Sequence, residues 1–107
     1  MKPLDQILAE FNKCIERYET LKLGLTHDQA EILQTLSTNL HYLEQYRVKY
    51  HADWMSYYFN SKGKSNAEKE READMKVPEL YMLRHFISSG RVVFDSVRST
   101  LSATKNV

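Results

Sequence analysis

Residues 33–57, LQTLSTNLHYLEQYRVKYHADWMSY, decide the fold. Leu33, Leu36, Leu40, Leu43, Arg47, Tyr50, Trp54 and Tyr57 recur at alternating steps of three and four, the spacing that lines one face of an α-helix. Arg47 is the one polar interruption, a position that either sets register or faces solvent. Upstream, Thr26-His27-Asp28-Gln29 has the Thr-x-x-Gln form of a capping box, so the helix is expected over about 27–60. At ~1.5 Å per residue it approaches 50 Å. Such length in a small chain points to a helical hairpin or to an oligomer.

Working outward, Leu4, Leu8, Phe11, Ile15 and Tyr18 repeat the 4-3 spacing, with Ile7, Cys14 and Leu21 widening the stripe. Pro3 suits the first turn of that helix and Gly24 its C-terminal cap, giving a span of about 3–22. Asn60–Asn66 is turn chemistry, and Ser65-Asn66-Ala67-Glu68 is a second capping box opening a short, mixed-charge helix over 66–76. Pro78 then ends that piece. Leu80, Leu83, Ile87, Gly90, Phe94, Val97 and Leu101 form the seam of a last helix over about 79–103. Gly90 lowers helix stability there by about 1 kcal/mol relative to Ala, in return for a close helix approach or as a kink. The expectation is an all-α, elongated single domain with coiled-coil-like seams, assembled as an oligomer through Leu80, Leu83, Ile87, Phe94, Val97 and Leu101.

Composition narrows the function. The 107 residues include only three Gly and two Pro, too few for a many-turned β-sandwich. One cysteine, Cys14, rules out a disulfide within the chain and a cysteine-rich zinc site, and it reads as a buried structural thiol. No apolar run is long enough to span a membrane, so a soluble, cytoplasmic protein is expected. There is no phosphate-binding glycine loop, no His-Glu-x-x-His and no Gly-x-Ser-x-Gly. His27, His41, His51 and His85 form no ligand pair at helical spacing. Neither an enzyme nor a metal or cofactor site is expected.

Two patterns remain. Tyr42, Tyr46, Tyr50, Trp54 and Tyr58 recur every four residues, with Arg47, Lys49, Lys62 and Lys64 among or just beyond them. Rings of this kind stack on unpaired bases while the cations neutralise phosphates. The same rings also fill a helix-bundle core with their hydroxyls at its edge. Second, Arg84, Arg91, Arg98 and Lys105 are seven apart, a nearly straight basic stripe. The overall charge of +1 conceals a split: residues 1–60 carry 6 basic and 8 acidic side chains, residues 61–107 carry 9 and 6. The stripe tracks phosphates, forms salt bridges to Glu16, Glu19, Glu31 or Glu44, or places favourable charges at a helix C-terminus.

The order of short motifs adds a resemblance. Lys49-Tyr50-His51-Ala52-Asp53-Trp54-Met55-Ser56-Tyr57-Tyr58 runs into Ser61-Lys62-Gly63-Lys64, then Asp74-Met75-Lys76-Val77, Ser89-Gly90 and Asp95-Ser96-Val97-Arg98-Ser99. Over roughly residues 43–107 this resembles the UvsY-like recombination mediators of T-even and related phages. The resemblance implies a non-enzymatic accessory of DNA recombination and repair. Such a protein binds single-stranded DNA, forms ring-like homo-oligomers, and helps a recombinase replace a single-strand-binding protein in the host cytoplasm. It implies DNA contacts at Lys49, Tyr57, Tyr58, Lys62 and Lys64; on the residues themselves, Arg84, Arg91 and Arg98 then extend the basic track or tie neighbouring subunits together. Residues 1–40 carry no counterpart. Two other classes fit the same size and surface: a small phage-encoded inhibitor of a host defence protein, and a structural coiled-coil scaffold.

Overall fold

The computed structural model describes the backbone of residues 2–20 and 26–105 and the side chains of residues 2–20 and 28–103. Four helices follow one another: α1 Leu4–Thr20, α2 Thr26–Asn60, α3 Asn66–Lys76 and α4 Pro78–Lys105. No strand occurs among the described residues, and the protein is all-α. The expected cap at Gly24 and the side chains of Thr26 and His27 lie outside the described residues.

Helix α2 is the axis of the molecule. Its 35 residues extend about 52 Å at the α-helical rise, against a longest dimension of 60 Å and cross-dimensions of 25 and 19 Å. The chain itself answers its length. Helix α1 runs antiparallel to the first half of α2: Arg17 meets Asp28 at 2.7 Å and Glu31 at 3.1 Å, while the Tyr46 hydroxyl donates to the Lys2 carbonyl at 2.7 Å. Helices α3 and α4 return along α2 in the opposite direction, α3 over its last turns and α4 over the remainder. Helices α1 and α4 run parallel, as Phe11–Phe86 and Tyr18–Ser96 show.

The core lies where α1, α2 and α4 meet. Ile7, Phe11 and Cys14 of α1, Ile32, Leu36 and Leu43 of α2, and Leu83, Ile87, Val97 and Leu101 of α4 are buried together. A fully buried aliphatic side chain contributes roughly 1.5–3 kcal/mol. Phe11 and Phe86 pack edge to face, centroids 5.6 Å apart. Gly90 is buried in an uninterrupted α4, and a Cβ there would sit 2.7 Å from Phe11 Cε2 and 2.8 Å from Leu40 Cδ2. Its missing side chain therefore serves close helix approach, the first of the two roles expected for it.

This packing redirects one expectation. Leu80, Leu83, Ile87, Val97 and Leu101 are buried and Phe94 half-buried, all within one chain. From Leu83 to Leu101, the seam assigned to contacts between copies packs against α1 and α2 instead. One long helix offers several faces, and the sequence does not say whether its partner comes from the same chain. Asn39, only 1% exposed, lies among these residues, and its Nδ2 has no hydrogen-bond partner among the described residues.

Helix α3 is capped as its sequence predicts, with one difference. Ser65 Oγ accepts from the Glu68 amide at 3.2 Å, but the Glu68 carboxylate accepts from the Lys64 amide at 2.7 Å, one residue before the position a reciprocal box uses. The first satisfies an amide that the helix leaves open, and the second ties the preceding connection to its first turn.

Candidate nucleic-acid interface

The sequence-predicted contacts fall into two groups. The first lies between α2 and α4. Glu44, Arg47, Arg84, Ile87, Ser88, Arg91, Val92 and Asp95 line a groove of about 510 Å³. Arg47, spaced as part of the apolar seam, reaches out of it: its Nε donates to Glu44 Oε2 at 2.9 Å. Arg91 donates to the other oxygen, Glu44 Oε1, at 2.7 Å. Of the four acidic partners considered for the basic stripe, Glu44 takes Arg91. Arg84 is exposed and makes no ion pair among the described residues. Arg98 is exposed and approaches Asp95 at 3.6 Å, one helical turn away. The side chain of Lys105 lies outside the described residues. Arg47 carries two sequence signals, a cation in an apolar seam and a cation among the aromatic rings, and the structure places it in this groove rather than with Lys49, Lys62 and Lys64.

The second group lies at the far end, where α2 runs past α1 and pairs with α3. Here the aromatic ladder breaks in two. Tyr42, Tyr46 and Tyr50 pack against the core, with Tyr46 and Tyr50 stacked at 6.4 Å and the Lys49 ammonium 6.0 Å from each ring. Burial is the main influence raising the Tyr50 hydroxyl above its ordinary pKa, with Glu79, Tyr46, Asp53 and Asp5 adding to it. Trp54 and Tyr58 stack separately, centroids 5.4 Å apart and planes 14° apart. The core reading of the ladder holds for its first part, while the rings of its second part form a separate, half-buried stack outside the core.

Tyr57 and Tyr58 do not act as a pair. Adjacent helix positions diverge by about 100°. Tyr58 turns to α3, its hydroxyl donating to Asn66 Oδ1 at 3.1 Å, whereas Tyr57 lines a groove with Tyr50, Asp53, Ser56, Lys76, Val77 and Glu79. Lys62 and Lys64 are exposed in the α2–α3 connection. Lys49 and Arg47, two residues apart, diverge by about 200° and do not share a face. Large apolar side chains are also exposed: Val48, Phe59, Met75, Tyr81 and Val92, with Tyr81 at 81%.

No group of three His, Cys, Asp or Glu suited to a metal ion occurs among the described residues, and no described helix is long and apolar enough to cross a membrane. The Cys14 thiol is buried and donates to the Ile32 carbonyl at 3.6 Å. Burial pushes its pKa up, opposed by the positive charge of Arg17. The chain matches no family model, no curated protein and no solved structure.

Proposed function

We propose that this protein binds single-stranded DNA without reading its sequence, as an accessory of phage-type recombination that assists recombinase loading. The observation that carries the DNA-binding part is the groove where Arg47, Arg84 and Arg91 converge, facing the carboxylates of Glu44 and Asp95. Two of the three guanidiniums share Glu44 and Arg84 makes no ion pair among the described residues, so three guanidiniums face two carboxylates and the groove keeps an excess of positive charge. Planar guanidiniums match phosphate oxygens in a forked geometry. Lys62 and Lys64 add cations at the far end, beside the Trp54–Tyr58 stack. The recombination role rests on the motif resemblance over residues 43–107. Assembly of copies, which multiplies weak sites through multivalency, is proposed without the α4 seam, because that seam is buried.

The test is fluorescence anisotropy of a labelled oligo(dT) strand at two salt concentrations. Neutralising three phosphates of a single strand gives a log–log salt slope near −2, so a fourfold rise in salt weakens binding roughly 20-fold. Arg84→Ala is expected to weaken binding and make that slope shallower by about 0.7; Lys62→Ala with Lys64→Ala is expected to act in the same direction. Absence of binding at low salt refutes the proposal, as does binding whose salt slope none of these substitutions changes.

A further inference from the structure

Beyond Tyr50, α2 leaves the hydrophobic core. Every residue of the buried cluster, and every half-buried residue packed on it, comes from α1, α2 up to Tyr50, or α4. None comes from α3. The Trp54 and Tyr58 side of the final turns of α2 is covered by α3, through contacts that are largely polar. The Trp54 indole N–H donates to Asp74 Oδ1 at 2.8 Å, the Tyr58 hydroxyl donates to Asn66, and the Ser61 hydroxyl donates to Glu72. Within α3 only Ala73 is buried. Eleven residues are too few for a helix to be stable in water unaided, so α3 depends on this docking. Segments with little apolar burial open at a small fraction of the global unfolding free energy.

Both ends of α3 are built as joints. Gly63 lies in the connection before it, and Val77 leaves the helix after it, with φ −129° and ψ 67°. Val77 itself is buried and its amide still bonds to the Ala73 carbonyl, so the far joint is anchored. Pro78 has no amide to continue the hydrogen bonding of α3 into α4.

Beneath this cover lie the parallel Trp54 and Tyr58 rings, with Phe59 edge-on to Tyr58 at 5.3 Å. We propose that Trp54 and Tyr58 are a base-stacking platform for single-stranded DNA, and that α3 is a strap that covers it and lifts when a strand binds; this rests on the single-strand-binding reading above. Bases bring flat π-faces and carbonyl acceptors, so they replace both the cover and the acceptors that Asp74 and Asn66 lend to the indole and phenol. The backbone phosphates then meet Lys62 and Lys64. Asp74 and Glu72 repel those phosphates, which makes strap and strand mutually exclusive.

Trp54 is the only tryptophan of the chain, so its emission reports on the platform alone. The intact protein is titrated with oligo(dT), following Trp54 emission and the anisotropy of a labelled strand, with amide exchange of residues 66–76 measured free and bound. The expected result is quenching of Trp54 with the same midpoint as the anisotropy, and faster exchange in α3 when bound. Asp74→Ala, which removes a clasp of the strap, is expected to bind about threefold to tenfold tighter. Trp54→Ala is expected to bind roughly fivefold or more weakly. Should Trp54→Ala fail to fold, emission and exchange of the unaltered protein decide. Binding by anisotropy with unchanged Trp54 emission and unchanged α3 exchange overturns the platform and leaves the DNA-binding proposal standing. No binding by anisotropy overturns both.

Discussion

Replacing Gly90 with alanine sets two effects of known sign against each other. In an exposed helix interior the change stabilises by about 1 kcal/mol, because alanine loses less backbone entropy. Here the added Cβ would lie 2.7 Å from Phe11 Cε2, 2.8 Å from Leu40 Cδ2 and 3.0 Å from Phe11 Cζ, where ordinary contact begins at 3.4 Å. The Phe11 ring cannot swing away freely: it is 2% exposed and held edge-on by Phe86. Overpacking a close-packed core costs about 1–3 kcal/mol. The net expectation for Gly90→Ala is a loss of up to ~2 kcal/mol, seen in urea melts as a lower midpoint with an unchanged slope. In a domain of this size that corresponds to a fall of up to roughly 10 °C in Tm. Trimming the obstructing ring supplies the control, since in a Phe11→Leu background the cost of Gly90→Ala should shrink by about 1 kcal/mol. A Gly90→Ala protein stabilised by ~1 kcal/mol would refute the reasoning, because helix propensity alone would then govern the position.

Glu44→Gln removes the carboxylate that holds both Arg47 and Arg91. Stability should fall by no more than about 1 kcal/mol, since both pairs are solvent-accessible, while oligo(dT) affinity rises as two guanidiniums are released; weaker binding would contradict the role given to the groove. The Cys14 thiol should resist alkylation at neutral pH, being buried and hydrogen-bonded to the Ile32 carbonyl. Because its pKa is raised by burial above the usual value of about 9, its contribution to stability is complete below that pH and is lost as the pH rises through the higher folded value. Urea melts from neutral to alkaline pH should show that decline and Cys14→Ser should flatten it; rapid labelling of the folded protein would show the thiol to be exposed.

The spacing of apolar residues by itself determined that the chain is helical. Leu33, Leu36, Leu40 and Leu43 in α2, and Leu80, Leu83 and Ile87 in α4, recur with the helical period, and a period is a property of local sequence. The same holds for the break at Asn60–Asn66 and for the Ser65 cap, where short polar side chains satisfy amides nearby in the chain. Tertiary structure alone decided what each face meets. The α4 seam closes on α1 and α2 within one chain, because an apolar stripe states how much surface must be buried and not whose surface buries it. Arg47 joins Arg84 and Arg91 only because α4 returns antiparallel to α2, bringing residues about forty positions apart into one groove. Tyr57 and Tyr58, adjacent in sequence, are sent to different sides by the 100° helical step, and the regular aromatic ladder divides at Tyr50, where the core ends and α3 takes over.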